Sequence, residues 1–170
     1  TDRCNFRCTY CMPKEVFNSD YNFLRRDDLL TFEEITRVSR IFGSLGVKKI
    51  RLTGGEPLLR KNIPTLIEQL AKINFIEDIS LTTNGVLLTK ELAKQLRSAG
   101  LNRITISLDA LDDETFKVIS DTSYNLKQVL EAIDNAESAG LAPIKINMVV
   151  KKGVNEHSIL PMAKYFHGSN

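Results

Sequence analysis

Four short segments of the chain alternate between apolar and polar residues. In the third of them, Ile104 and Ile106 lie on one side of the predicted strand, and Thr105 and Ser107 lie on the other. A period of two residues is typical of a β-strand with one covered face and one polar face. This alternation predicts strands near 47–53, 76–83, 101–108 and 144–150.

Helical periodicity dominates the stretches between these strands. Apolar residues recur three or four positions apart, which places them on one face of a helix. Thr31 and Glu34 form the sequence signature of a capping box at the start of the first helix. The apolar positions predict helices over 31–45, 63–73, 92–99, 129–136 and 159–166.

A glycine follows three of the predicted helices and precedes a strand, at Gly46, Gly100 and Gly140. Glycine suits the left-handed position that ends many helices. Regular alternation of strand and helix predicts an α/β fold whose sheet is parallel and whose crossovers are right-handed. Residues 12–30 interrupt the pattern and are predicted to be irregular.

The polar faces of the four strands need an explanation, because parallel strands are normally covered on both faces and uniformly apolar. One possibility is a half-covered sheet whose polar face meets solvent. The other is a TIM-like barrel around a polar cavity, with ligand-binding groups near the carboxyl ends of the strands. We favour the barrel, because all four strands carry polar residues on the face that the helices do not cover.

Composition excludes several classes of function. The 170 residues fit one domain, with 42% hydrophobic residues, 26% charged residues and a net charge of +2. The chain has no basic run that would favour nucleic acid, and no apolar run or signal peptide that would favour a membrane. An odd number of cysteines without secretory features favours the cytoplasm. Because the chain begins at Thr1 without a methionine, we expect it to be a piece of a longer protein.

All three cysteines lie within eight residues, in the stretch CNFRCTYC, at Cys4, Cys8 and Cys11. A structural zinc site needs a fourth ligand, and the two histidines, His157 and His167, lie far along the chain. A redox pair at Cys8 and Cys11 leaves Cys4 unexplained. Three thiolates can instead hold three of the four irons of a four-iron, four-sulfur (4Fe–4S) cluster, which leaves one iron open. The number of ligands favours the cluster.

The spacing C-x3-C-x2-C, with Tyr10 before the last cysteine and Gly54-Gly55-Glu56-Pro57 after the next strand, resembles the radical S-adenosylmethionine (radical SAM) superfamily. Longer stretches are similar to its GTP 3′,8-cyclase family, namely TDRCNFRCTYCMP, RLTGGEPLLRK, LTTNG, SLDALD and KINMVVKKGVN. The resemblance implies that 1–170 is a radical SAM core domain, a partial (β/α)6 TIM-like barrel truncated at both ends. It also implies that the full-length protein carries a second 4Fe–4S cluster on a carboxyl-terminal segment.

The resemblance assigns roles to individual residues. Cys4, Cys8 and Cys11 become the ligands of the cluster. The expected contacts of S-adenosylmethionine are Tyr10, Gly54, Gly55, Glu56, Ser107 and Asn147. Glycine lets a backbone approach a ligand closely, and a carboxylate suits an ammonium group. The alternative for Glu56 is an ordinary surface acid.

Three residues on the polar face match positions that contact substrate in this family: Arg51, Thr82 and Lys145. A triphosphate needs fixed positive charge, and Arg and Lys donate charge-assisted hydrogen bonds to phosphate oxygens. The alternative for Lys145 is an ion pair with a buried carboxylate such as Asp109, which we expect to be structural.

The function implied by the resemblance is a lyase reaction in molybdenum cofactor biosynthesis. A 5′-deoxyadenosyl radical removes the C3′ hydrogen of GTP, and C3′ then bonds to C8, giving 3′,8-cyclo-7,8-dihydro-GTP. Implied partners are flavodoxin or a similar reductant, a downstream cyclic pyranopterin monophosphate synthase, and a second copy of the chain in a possible homodimer. Alternatives are a radical SAM activase, a peptide-modifying enzyme, or a non-catalytic zinc or redox module.

Overall fold

Four parallel strands form one sheet in the order β1-β2-β3-β4, and neighbours in the sheet are also neighbours along the chain. The computed structural model describes residues 1–168, and within them the sheet is joined by six α-helices. The strands are β1 Lys49–Leu52, β2 Asp78–Thr83, β3 Arg103–Ser107 and β4 Lys145–Asn147. The helices are α1 Phe32–Ser44, α2 Ile63–Ala71, α3 Lys90–Ser98, α4 Asp113–Ser120, α5 Leu126–Ser138 and α6 Ile159–Tyr165. Three short 3-10 helices cover Arg26–Asp28, Pro57–Leu59 and Glu156–Ser158.

The register of the strands confirms the predicted two-faced sheet. Thr82 pairs with Thr105, which pairs with Lys145, so these three side chains share one face. On the opposite face Leu81 and Ile106 are completely buried beneath the helices. Alternation along each strand therefore divides the sheet into an apolar face and a polar face.

The predicted helix boundaries depend on local features that the structure contains. Thr31 and Glu34 form a reciprocal capping box, with Glu34 N donating to Thr31 Oγ1 at 3.1 Å and Thr31 N donating to Glu34 Oε2 at 2.8 Å. Gly46, Gly100 and Gly140 all have positive φ, as predicted for residues that end a helix and start a strand.

Helix α4 was not predicted. It has only eight residues, and its main apolar contacts are the buried Phe116 and Ile119. Asp112 caps it by accepting from Thr115 N at 2.8 Å. A helix this short gives too few turns for its periodicity to stand out.

The prediction for the fourth strand was too long, since 144–150 contains a strand of only three residues. Val149 N donates to the side chain of Asp109 at 2.8 Å. This bond turns the chain away from the sheet just after Asn147, and the remaining apolar residues continue in a loop.

Residues 1–3 are bound by two backbone hydrogen bonds to the turn that follows β1. Gly55 N donates to Thr1 O at 2.8 Å, and Glu56 N donates to Arg3 O at 2.8 Å. These bonds lie at the carboxyl end of β1, so Cys4 emerges at the carboxyl edge of the sheet. Among residues 1–168, no helix combines the length and the apolar character needed to cross a membrane.

Candidate functional site

The three cysteines lie on a tight loop at the carboxyl edge of the sheet. Cys4 and Cys8 are half-buried and Cys11 is exposed. The amides of Cys11 and Met12 both donate to Cys8 O, at 2.9 and 3.0 Å, and this turn holds the last two cysteines close together. The Arg7 guanidinium braces the loop by donating to Cys4 O at 2.8 Å.

Burial and nearby negative charge disfavour the thiolate form of two of the cysteines. Burial raises the pKa of the Cys8 thiol to about 12, and the Asp109 carboxylate and the other two thiols add to this effect. Burial also raises the pKa of Cys4. Both thiols are therefore protonated at neutral pH in the free protein, and binding of iron is the change that converts such thiols to thiolates.

Within residues 1–168, no three His, Cys, Asp or Glu side chains come together closely enough to hold a single metal ion. Cys4, Cys8 and Cys11 lie on one loop, and three free thiols match in number the ligands of a 4Fe–4S cluster with one open iron.

The two glycines of the Gly54–Pro57 turn lie against the protein's own backbone. A Cβ on Gly54 would lie 2.4 Å from Thr1 O, and one on Gly55 would lie 2.1 Å from Arg3 O. Real Cβ atoms do not approach an oxygen so closely, and only glycine allows this pairing. The close approach that we expected toward a ligand is, in this structure, an approach to the segment just before Cys4.

Glu56 is buried, with 1% of its surface exposed, so it is not a surface acid. Its Oε1 accepts from Leu58 N at 2.9 Å and from Thr83 Oγ1 at 2.7 Å, and its Oε2 accepts from Asn84 N at 2.8 Å. Burial raises the pKa of this carboxyl group, although the three hydrogen bonds oppose the shift. Glu56 thus links the end of β1 to the end of β2, and its charge acts on Cys4.

Asn84 connects the same network to the cysteine loop. Its side-chain amide donates to Asn5 Oδ1 at 2.8 Å and lies 3.9 Å from Cys4 Sγ. Asn84 belongs to the LTTNG stretch, which was singled out only for its resemblance to a family. Its place just after a strand with a polar face is the one feature of the sequence that could have indicated a role in the site.

Tyr10 is held by Asp109. The tyrosine hydroxyl donates to Asp109 Oδ2 at 2.7 Å, and Val149 N donates to Asp109 Oδ1. Burial raises the pKa of Tyr10, and the adjacent carboxylate adds to the shift. Because both oxygens of Asp109 are bonded in this way, and none of the ion pairs in the described residues joins it to Lys145, the structure does not support the alternative that we weighed for Lys145.

A second group of contacts fastens the segment after β4. Asn155 is completely buried, and its amide donates to Asp109 O at 2.8 Å and to Val149 O at 2.9 Å. Lys151 N donates to Asn155 Oδ1, and Lys151 Nζ donates to Thr9 Oγ1 at 3.1 Å. Both residues belong to the KINMVVKKGVN stretch, which the sequence analysis used only for its resemblance to a family, and neither was given a role there.

The remaining predicted residues lie on the polar face in successive rows. Ser107 pairs with Asn147 in the row nearest the carboxyl edge. Thr82 and Lys145 flank Thr105 in the next row, and Arg51 lies one row further toward the amino ends. Arg51, Lys145 and Asn147 are exposed, while Thr82 Oγ1 is buried without a hydrogen-bond partner in the described part of the chain. The structure therefore brings the cysteines, Tyr10 and Glu56 together at the edge and places the other residues below them.

The chain combines a parallel α/β sheet with three cysteines on a loop at the carboxyl edge and a polar face on the sheet. This combination is typical of proteins that bind a cofactor at the carboxyl ends of the strands of a partial barrel. The family model of the radical SAM superfamily matches residues 1–166. The chain belongs to this superfamily, which implies a 4Fe–4S cluster and S-adenosylmethionine.

Curated relatives show which family within the superfamily the chain is similar to. The chain is 56% identical over 170 residues to a Staphylococcus epidermidis protein named GTP 3′,8-cyclase, covering 100% of this chain and 49% of that protein. It is 53% identical over 166 residues to the protein of the same name from Staphylococcus aureus, covering 98% of this chain and 48% of that protein. The chain thus spans about half the length of the curated relatives it matches.

Solved structures support the fold. The FeFe-hydrogenase maturase HydG from Carboxydothermus hydrogenoformans matches 99% of this chain and 39% of its own, with a TM-score of 0.74 at 18% identity. The structure of anSMEcpe with bound AdoMet and a Cp18Cys peptide matches 98% of this chain and 45% of its own, with a TM-score of 0.72 at 24% identity. These likenesses confirm the predicted fold class, a partial TIM-like barrel of parallel strands.

Proposed function

We propose that the full-length protein is a GTP 3′,8-cyclase, a radical SAM lyase that converts GTP to 3′,8-cyclo-7,8-dihydro-GTP in molybdenum cofactor biosynthesis. The observation that carries this proposal is the 56% identity to a protein of that name across all 170 residues. The activase and peptide-modifying alternatives assume the same front half with a different substrate, and the solved structures compared above match at 24% identity or less, which identifies a fold and not a substrate.

When bound, the cluster and S-adenosylmethionine supply the one-electron chemistry that removes a hydrogen atom from the ribose of the substrate. The chain's own residues bind and orient these groups. We assign Cys4, Cys8 and Cys11 to three irons of the cluster, which leaves the fourth iron for the cofactor. The radical SAM core is then the whole of 1–170.

The residues proposed to contact S-adenosylmethionine are Tyr10, Gly54, Gly55, Glu56, Ser107 and Asn147. Glu56 already accepts three hydrogen bonds, yet its Oε2 accepts only from Asn84 N. A carboxylate oxygen has two lone-pair directions, so this oxygen can still accept from an ammonium group. Glu56 therefore combines a structural role with the proposed role as an ammonium partner.

The polar face supplies charge for a triphosphate. Arg51 and Lys145 are exposed cations on different strands of the same face, and charge-assisted hydrogen bonds from such groups suit phosphate oxygens. Thr82 adds a buried hydroxyl without a partner in residues 1–168. We propose these three residues as contacts of GTP.

The rest of the proposal concerns the full-length protein. A second 4Fe–4S cluster lies on its carboxyl-terminal segment, and flavodoxin or a similar reductant supplies the electron. The product passes to a cyclic pyranopterin monophosphate synthase in the cytoplasm. The enzyme binds neither nucleic acid nor membrane and works as a homodimer.

The test is anaerobic reconstitution of the full-length protein with iron and sulfide, followed by S-adenosylmethionine, reductant and GTP. We expect GTP to stimulate release of 5′-deoxyadenosine and to give a cyclised product detectable by mass spectrometry. Release of 5′-deoxyadenosine without dependence on GTP contradicts the proposal and favours a different substrate.

Matched substitutions test the substrate residues separately. Arg51→Ala and Lys145→Ala should each raise the KM for GTP by about tenfold or more, the loss expected for a charge-assisted hydrogen bond. Cluster content should stay the same. Lys94→Ala, an exposed lysine on α3, serves as the control with unchanged KM. Loss of the cluster in Arg51→Ala or Lys145→Ala contradicts their placement in the substrate cavity.

A further inference from the structure

Asp109 joins two segments that are far apart along the chain. One carboxylate oxygen accepts from the Tyr10 hydroxyl in the cysteine loop, and the other accepts from Val149 N just after β4. The residue is buried, with 4% of its surface exposed. The Asp109 side chain thus links the cysteine loop to the segment after β4, beside the direct bond from Lys151 to Thr9.

The backbone next to Asp109 takes part in the same arrangement. Asn155 Nδ2 donates to both Asp109 O and Val149 O, so the segment after β4 folds back onto the end of β3. This segment begins directly after Asn147. The carboxylate therefore contacts Tyr10 on one side and the first residues after β4 on the other.

The cysteine loop has other anchors that do not involve Asp109. Thr9 N donates to Ile119 O at 3.0 Å and Arg7 N donates to Ser120 O at 3.1 Å, which ties the loop to α4. The turn at Cys8 and the bond from Arg7 to Cys4 O are also independent of it. Loss of the Asp109 carboxylate therefore frees the Tyr10 hydroxyl and Val149 N, while the backbone that carries the three thiols remains in place. The bonds from Asn155 to Asp109 O and from Lys151 to Thr9 still hold the rest of the segment after β4.

From this geometry we infer that Asp109 is a positioning residue for S-adenosylmethionine: it orients the Tyr10 ring and the end of β4 around the cofactor without binding the cluster. This inference rests on the cofactor residues named in the proposed function, but not on GTP as substrate. A substitution at Asp109 that removes both hydrogen bonds should therefore weaken the binding of S-adenosylmethionine and leave the cluster content unchanged.

The experiment measures both quantities in the reconstituted full-length protein without GTP. Iron and sulfide per chain report the cluster, and equilibrium dialysis with S-adenosylmethionine reports the dissociation constant of the cofactor. Asp109→Ala should leave the iron and sulfide per chain unchanged. It should raise the dissociation constant of S-adenosylmethionine about tenfold, which is the effect of losing roughly one net hydrogen bond. Electron paramagnetic resonance of the reduced cluster is recorded with and without S-adenosylmethionine. The change in the signal on adding the cofactor should be smaller in Asp109→Ala than in the unsubstituted protein.

Two further variants separate position from charge. Asp109→Asn keeps both links, because its carbonyl oxygen accepts from Val149 N and its amide donates to the Tyr10 oxygen, so it should restore most of the affinity. Tyr10→Phe removes a single hydroxyl and leaves Asp109 and the fold intact, so it should weaken the cofactor even if Asp109→Ala folds poorly. Asp134→Ala, an exposed aspartate on α5, is the control.

Three results overturn the inference. Asp109→Ala and Tyr10→Phe could both bind the cofactor as tightly as the unsubstituted protein. They could lose iron and cofactor binding in parallel, which indicates a role in the cluster itself. Asp109→Asn could be as defective as Asp109→Ala, which indicates that charge and not position matters. None of these results depends on whether GTP is the substrate, so failure here is distinct from failure of the proposed function.

Discussion

Replacing Glu56 by glutamine tests whether a buried carboxylate holds the carboxyl edge of the sheet together. Glutamine has the same shape, and its oxygen can accept from Leu58 N and Thr83 Oγ1 as Glu56 Oε1 does. Its amide group would then face Asn84 N, which donates to Oε2 in the unsubstituted protein. One buried donor is left unpaired, which costs about 1–3 kcal/mol of the free energy of unfolding.

Glu56→Ala leaves all three donors without a partner, and we expect a loss on the order of 4 kcal/mol or more. The assay is urea denaturation followed by far-ultraviolet circular dichroism at neutral pH. Glu91→Gln, an exposed glutamate in the first turn of α3, should change the free energy of unfolding by less than about 0.5 kcal/mol. A Glu56→Gln variant as stable as this control refutes the reasoning.

The pH dependence of the same comparison has a definite sign. Burial raises the pKa of Glu56 above its ordinary value of 4.5, so above pH 4.5 the folded state binds more protons at this group than the unfolded state. The free energy of unfolding contributed by Glu56 therefore falls as the pH rises from 4.5 through the raised pKa. The variant Glu56→Gln lacks this contribution, so its deficit should shrink over that range. A deficit that grows with pH means that the pKa is lowered and contradicts the burial argument.

Three further substitutions, the first with a matched control, test other contacts. Gly55→Ala places a Cβ 2.1 Å from Arg3 O, so it should break the pairing before the cysteine loop and lower the iron content. The control Gly46→Ala meets no atom within 4 Å and should cost only about 1 kcal/mol of the free energy of unfolding for its positive φ. Urea denaturation and an iron assay measure both variants. Asn155→Ala removes a completely buried side chain with three hydrogen bonds and should lower the free energy of unfolding by about 2–4 kcal/mol; a loss below about 0.5 kcal/mol contradicts this. Cys8→Ala should abolish the absorption of the reconstituted cluster while the far-ultraviolet spectrum is kept, and retention of a full cluster contradicts its role as a ligand.

Much of the fold follows from periodicity in the sequence. Alternation along the strands identified β2 and β3 and predicted their polar face correctly, because side-chain direction in a strand depends only on position. The length of β4 was not predictable in the same way. Its end is set by a bond from Val149 N to Asp109, which are 40 residues apart, and local pattern cannot report such a bond.

In the candidate site, too, local features could be predicted from the sequence and long-range contacts could not. The sequence singled out the three cysteines and Tyr10 through their local spacing, and the structure places them together at the carboxyl edge of the sheet, while their roles stay predictions. The contact of Gly55 with a ligand also stays a prediction, and the structure adds its close approach to Arg3 O, which the sequence did not indicate. The links through Asn84 and Asn155 were missed altogether. Buried asparagines are recognised by the partners that they satisfy, and those partners appear only when distant segments have come together.

The contacts that hold the cysteine loop also set the order of events during synthesis. Cys4 and Asn84 are 80 residues apart, Tyr10 and Asp109 are 99 apart, and Thr9 and Lys151 are 142 apart. At a translation rate of roughly 5–20 residues per second, Lys151 is made about 7–28 seconds after Thr9. The loop is made before the segments that hold it and is completed only after them, so its thiols stay open to oxidation until β4 and the segment after it have been made. Insertion of iron into a growing chain would meet an unfinished site, so the cluster should enter only after the ribosome has passed this region.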